Sequence, residues 1–89
     1  MNYDTISNAD GKRVSKCAFK VIDNIHGFEK QEQILGIACA FWEISRQAGI
    51  SHSRLMEVVN NIAFEADRKK RIEFKALEHY VKRHIIGEN

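Results

Sequence analysis

The chain of 89 residues contains no proline, five glycines and only two cysteines. Without proline, every position keeps its backbone N–H donor, so long helices can run without a forced break. Cys17 and Cys39 form no C-x-x-C pair and fall at apolar positions of predicted helices. We therefore expect buried, reduced thiols in a cytoplasmic protein and not a disulfide-stapled scaffold. These absences favour an all-α fold.

Signatures of several functional classes are also missing. The longest apolar run, residues 34–42, has nine residues, whereas a membrane-spanning helix needs about 20. The first residues combine neither a basic nor an apolar region, so no export signal and no membrane partner are expected. There is no phosphate-binding glycine loop and no H-E-x-x-H motif, and the four histidines are spread over three predicted helices. The sequence predicts no enzyme, no cofactor and no metal site.

Hydrophobic periodicity predicts a compact four-helix domain over residues 10–89, preceded by a flexible N-terminal tail at residues 1–9. The first helix, over 10–26, begins at the N-cap Asp10 and ends at a left-handed Gly27. Its predicted inner face consists of Val14, Cys17, Ala18, Val21, Ile22 and Ile25.

The other three helices follow in order. A central helix covers about 29–47, and Gly49 with the N-cap Ser51 joins it to a third helix. The apolar pattern lapses within 65–71 and restarts in a different phase, which predicts a break and a fourth helix capped by Asp67 and ended by Gly87.

The central helix carries apolar residues on nearly every side, so it cannot be an ordinary surface helix. Ile34, Ile37, Phe41 and Ile44 form one stripe, and Leu35, Cys39 and Trp42 form a second stripe on another side. We expect the partner helices to cover the first stripe. A symmetric homodimer with Leu35, Cys39 and Trp42 at its interface is the expected cover for the second.

Residues 43–61 resemble the helix-turn-helix of bacterial and phage DNA-binding proteins. In this resemblance Ile44 and Ala48 are the buried side of the first helix, Gly49 the turn and Ile50 the wedge, followed by a recognition helix. The implied DNA-binding residues are Ser51, His52, Ser53, Arg54, Glu57 and Asn60. Ser45 stands where the family prefers alanine, and Arg54 is the only positive charge of the implied recognition helix. An ordinary helix–glycine–helix connection explains the same residues.

Two basic clusters suit phosphate contacts, which add salt-dependent affinity regardless of sequence. They consist of Lys12, Arg13, Lys16 and Lys20 on the first helix, and of Arg68, Lys69, Lys70 and Arg71 before the fourth. A solvated helix face is the more common role of such clusters. The net charge of +2 and the pI near 8.6 allow a nucleic-acid partner without requiring one.

Two further stretches are similar to those of short accessory proteins of tailed phages and prophages. They are the glycine-containing apolar segment 32–41 and the Phe-x-Ala-x-x-x-Tyr segment within 73–81. The resemblance implies a protein that works by binding. Two functions therefore stay open: a small DNA-binding regulator, and a protein-interaction module such as an inhibitor or adaptor, of host or phage proteins, from a mobile genetic element.

Overall fold

The computed structural model describes residues 1–63 and 72–87. These residues form five α-helices: α1 (Tyr3–Ser7), α2 (Gly11–Asp23), α3 (Lys30–Ala48), α4 (His52–Ala63) and α5 (Ile72–Val81), followed by a π-helical turn at Lys82–Ile86. No strand occurs in either described range, and the molecule measures 36 × 31 × 18 Å. The all-α prediction is confirmed. The predicted break within 65–71 and the cap at Asp67 lie outside the described residues.

Helix α2 begins where the sequence predicted but ends earlier. The Asp10 carboxylate accepts a hydrogen bond from the backbone N–H of Lys12 at 3.2 Å, which caps the helix. At the other end the Asn24 side-chain amide donates to the carbonyl oxygen of Lys20 at 2.8 Å, so the helix stops at Asp23. The prediction of a left-handed cap at Gly27 was wrong, because Gly27 is not among the glycines with positive φ.

The inner face of α2 is also rotated from the predicted one. Gly11, Ser15 and Ile22 are buried, while Cys17 and Val21 are exposed. Cys39 is exposed as well, so the expectation of two buried thiols was wrong. The Ser15 hydroxyl can occupy an inner position because it donates to the backbone oxygen of Lys12 within its own helix.

Residues 1–9 contain a short helix, which the aperiodic sequence did not indicate. The Asn2 side chain caps α1 by accepting from the backbone N–H of Thr5 at 2.9 Å. Helix α1 lies against α4, where the guanidinium of Arg54 sits over the Tyr3 ring at 4.0 Å. The N-terminal segment thus has regular structure and a packing partner.

The buried apolar core is built by α2, by the turn before α4, by α4 and by the final turn. Among the described residues it consists of Ile22, Ile50, Val58, Ile62, Ala63 and Ile85. Helices α2 and α5 pack closely, with the rings of Phe19 and Tyr80 edge to face at 5.0 Å and the Tyr80 hydroxyl donating to the Asp23 carboxylate.

The central helix α3 contributes no apolar residue to that core. Its two buried residues are the polar Gln33 and Ser45, and of the run 34–42 only Phe41 is partly buried. The expectation that the partner helices cover the stripe of Ile34, Ile37, Phe41 and Ile44 was therefore wrong. A helix that is apolar all round needs neighbours on every side, and the described elements that pack most on α3 are α4 and the final turn.

Candidate interaction surfaces

One exposed side of α3 forms an apolar groove with the end of α2 and the segment that follows it. The groove has a volume of about 510 Å³. It is lined by Val21, Ile25, Phe28, Glu32, Gln33, Gly36, Ile37, Ala40, Phe41 and Ile44. The buried Gln33 holds its two walls together, because its side-chain amide donates to the carbonyl oxygen of Ile25 at 2.7 Å. We call this surface the α2–α3 groove.

Gly36 and Ala40 are the small residues of the α2–α3 groove. A Cβ atom added at Gly36 would have no neighbour within 4 Å, so no other described element of the chain approaches this position. Glycine inside a helix costs about 1 kcal/mol relative to alanine, and the folded chain gains no close contact in return. The missing side chain leaves room for a group from outside.

A second exposed side of α3 carries Leu35, Cys39 and Trp42, which we call the α3 ridge. Leu35 is 64% and Trp42 50% exposed, and the Cys39 thiol is free and exposed. The sequence indicated these residues as a dimer interface, and in the isolated chain their apolar atoms face water. The ridge and the groove lie on different sides of the same helix.

The α3 ridge continues onto α4 through His52. The imidazole of His52 stacks on the Trp42 ring at 6.4 Å between centroids and lies 5.7 Å from Phe41. Met56 and Val59 follow His52 at i+4 and i+7, which places them on the same side of α4. Both are about half exposed. The apolar surface around the ridge therefore extends over two helices.

The connection between α3 and α4 has the local geometry expected from the sequence. Gly49 adopts φ 74°, ψ 24°, in the left-handed region, and ends α3. The next residue, Ile50, is buried, and the Ser51 hydroxyl accepts from the backbone N–H of Arg54 at 3.3 Å. The turn, the wedge and the cap are thus present, as any short helix–helix connection also requires.

The buried side of the first helix in this segment differs from the one that the resemblance implies. Ile44 is 66% exposed, whereas Ser45 is 1% exposed. One residue along a helix is a rotation of about 100°, so burying Ser45 turns Ile44 outward. The Ser45 hydroxyl is satisfied because it donates to the backbone oxygen of Trp42 at 2.9 Å. Ala48 is half buried, as the resemblance implies, and Val58 of α4 is buried.

The implied DNA-binding residues all lie on exposed positions of the Ser51 turn and α4; they are Ser51, His52, Ser53, Arg54, Glu57 and Asn60. Ser53, Glu57 and Asn60 share the outward face by helical spacing. Arg54 and His52 lie at its two edges, where Arg54 stacks on Tyr3 and His52 on Trp42. The only charge in the middle of this face is the acidic Glu57, which repels phosphate.

The basic cluster on α2 is exposed and forms a shallow depression. Arg13, Lys16 and Lys20 line it with Cys17, and Lys12 lies exposed in the first turn. None of these four cations is in an ion pair within the described part of the chain, where the ion pairs are His26–Asp23 and Arg46–Glu43. The second predicted cluster, Arg68, Lys69, Lys70 and Arg71, lies outside the described residues.

Side chains of α2, α5 and the final turn form a polar group that was not predicted, because its two histidines are far apart in the sequence. His26 and His84 come within 5.6 Å of each other, and the Tyr80 ring lies 4.2 Å from His84. Asp23 contacts His26 at 3.5 Å. These side chains meet because α5 and the final turn pack on the end of α2. The periodicity of the sequence does not reveal that packing.

The described residues contain no group of three or more metal-ligating side chains with suitable geometry. No described helix has the length and apolar content to cross a membrane. Comparison of the chain with protein-family models, with curated proteins and with solved structures finds no match.

Proposed function

We propose that this protein is a non-enzymatic interaction module that binds an apolar, amphipathic helix of a partner protein in the α2–α3 groove. This proposal is based mainly on the groove itself, where apolar residues of α2 and α3 are exposed to water. Soluble proteins seldom leave contiguous apolar surface without a partner, and a groove between two helices is the usual receptor for an amphipathic helix.

Two features define the chemistry of the partner helix. The open space above Gly36 admits a close approach or a bulky apolar side chain. Among the described residues that line the groove, Glu32 alone is charged, so a lysine or arginine at the matching end of the partner helix would be favoured. The partner is thus an apolar helical face with a basic end.

The test uses two groove variants and one matched control. Gly36→Leu fills the open space without adding charge, and its helix propensity exceeds that of glycine by about 1 kcal/mol. Ile44→Asp places a charge in the groove at a position 66% exposed. Leu35→Asp is the control, because Leu35 is 64% exposed on the ridge side of the same helix.

Tagged wild-type protein captures partners from a cell lysate. Each captured protein is then purified and titrated against the wild type, the two groove variants and the control. We expect a purified partner whose affinity falls at least about a hundredfold with Ile44→Asp, since a buried unpaired charge is costly. Its affinity also falls with Gly36→Leu but not with Leu35→Asp. If no purified partner distinguishes the groove variants from the control, the groove is not a docking site.

DNA binding is a second candidate, favoured by the exposed outward face of α4 after the Gly49 turn and by the unpaired cations of α2. The acidic Glu57 in the middle of that face and the stacking of Arg54 on Tyr3 weigh against it. We rank it below protein binding for these two reasons.

A gel-shift assay with random duplex at low salt tests this candidate. Binding through the α2 cations would weaken steeply as salt rises, because counterions are released from the phosphates. Arg54→Ala would then cost about 1 to 3 kcal/mol on a specific site if Arg54 contacts a base pair edge. Absence of any shift at low salt eliminates the DNA-binding candidate and leaves the groove proposal unaffected.

A further inference from the structure

We propose that a second copy of this chain covers the α3 ridge, in a twofold homodimer whose α3 helices run antiparallel and cross beside Cys39. Glu32 borders both surfaces, but Leu35, Cys39 and Trp42 do not line the α2–α3 groove, so the inference does not depend on the partner proposed for the groove. A dimer of this kind leaves both grooves open for other proteins.

The accessible surface summed over the whole isolated chain is larger than that of a typical folded monomer. Its accessible surface is 6833 Å², whereas a folded monomer of 10.3 kDa exposes about 5,400 Å². The excess is about 1,400 Å², while a standard stable interface removes about 800 Å² from each partner. The ridge with its extension over His52, Met56 and Val59 supplies apolar surface for such an interface.

The spacing of residues along the ridge fits helix–helix association. Leu35, Cys39 and Trp42 are flanked by Glu32 and Arg46, and the five positions are separated by three, four, three and four residues. This alternation is the heptad spacing of the contact stripe between two packed helices. A stripe of this kind is self-complementary when it meets a second copy of itself.

Charge at the two ends of the stripe selects the antiparallel orientation. The N-terminal end carries Glu32, whose carboxylate also accepts from the backbone N–H of Glu29 at 2.9 Å. The C-terminal end carries Arg46, whose side chain is 60% exposed and contacts Glu43 of the same helix at 3.0 Å. Antiparallel packing places Glu32 of one protomer near Arg46 of its partner, whereas parallel packing places like charges together. Like charges facing each other across an interface are strongly unfavourable.

Complete overlap of two antiparallel stripes puts the twofold axis at their middle residue, Cys39. Ala38 beside it is also small, so the two backbones can approach closely there. Leu35 and Trp42 then pack on either side of the axis, and each contacts the partner. The geometry brings the two copies of Cys39 together, while Cys17 on α2 stays outside the interface.

The first test compares the two exposed cysteines by cross-linking. Cys17→Ser and Cys39→Ser chains at micromolar concentration are treated with a short bismaleimide, which joins two nearby thiols. We expect a covalent dimer from Cys17→Ser, which keeps Cys39, and loss of that product from Cys39→Ser. Equal cross-linking of both variants would indicate random collision and would contradict the proposed interface.

Sedimentation of the untreated protein gives the decisive measurement. For the wild type we expect a species of twice the chain mass of 10.3 kDa. The Leu35→Asp variant should no longer form this dimer, whereas the Ile44→Asp variant should still form it. A monomer at micromolar concentration would overturn the homodimer. A dimer that survives Leu35→Asp would show that the ridge is not the interface.

Charge reversal tests the orientation. In the antiparallel dimer, Arg46→Glu places its carboxylate beside Glu43 of its own chain and near Glu32 of the partner subunit, so it should raise the dimer Kd about tenfold or more. Adding Glu32→Arg in the same chain should restore most of the affinity. The neutral Arg46→Gln is the control, and circular dichroism checks that helix α3 persists. If the double variant associates no better than Arg46→Glu, the antiparallel arrangement is wrong.

Discussion

Helices α3 and α4 are neighbours with opposite relations to the core. Helix α4 has 12 residues and buries Val58, Ile62 and Ala63, all apolar. Helix α3 has 19 residues and buries two, Gln33 and Ser45, both polar. The longer helix with the longer apolar run thus contributes less to the apolar core of the single chain.

The difference follows from how the apolar residues are distributed around each helix. In α4, Val58 and Ile62 recur at the spacing of one face, so one layer of neighbours buries them, while Met56 and Val59 remain about half exposed. In α3 the apolar residues point to all sides, and α4 and the final turn, its main neighbours among the described elements, leave most of the run 34–42 exposed. Apolar content beyond what the chain can cover is therefore available for association, which we assign to the groove and the ridge.

Alanine substitutions at matched isoleucines should produce the largest contrast between the two helices. Ile62→Ala on α4 removes buried apolar atoms and leaves a cavity, so we expect a loss of about 2 to 4 kcal/mol in the free energy of unfolding. Ile44→Ala on α3 should change it by no more than about 0.5 kcal/mol. Urea denaturation at one protein concentration measures both, and equal losses would refute the contrast.

Trp42→Ala should show how much the exposed ridge side of α3 contributes to association between two chains. We expect it to weaken dimerisation by about 2 kcal/mol or more, as truncation of an aromatic anchor at the centre of an interface does. Trp42→Phe, which keeps an aromatic ring, should retain more of the affinity. Sedimentation equilibrium over a concentration series gives both values; unchanged association of Trp42→Ala would remove the ridge from the interface.

The sequence predicted the helices better than their burial. The N-cap at Asp10, the left-handed turn at Gly49 and the cap at Ser51 depend on local chemistry, which a few neighbouring residues determine. They were found where expected. The end of α2 was misplaced because the Asn24 side chain caps the helix first, a role that the pattern around Gly27 concealed.

The surfaces were harder to predict because exposure depends on tertiary packing. Periodicity showed two apolar stripes on the central helix, but it gave no measure of how much surface four short helices cover. The burial of Ser45 in place of Ile44 was not predicted, because serine is polar and hydrophobic periodicity assigns polar residues to the exposed face. Its hydroxyl is satisfied within the helix, so its burial needs no partner.

Two glycines of the α3 region should respond in opposite directions, with the smallest effects of this series. Gly49 has φ 74°, so Gly49→Ala puts a Cβ in the left-handed conformation and should destabilise the fold by about 1 to 2 kcal/mol. Gly36 lies inside the helix beside open space, so Gly36→Ala should stabilise it by up to about 1 kcal/mol. Thermal unfolding of both variants measures these changes. Destabilisation by Gly36→Ala would mean that the chain itself uses the space at Gly36, and the groove would lose its strongest argument.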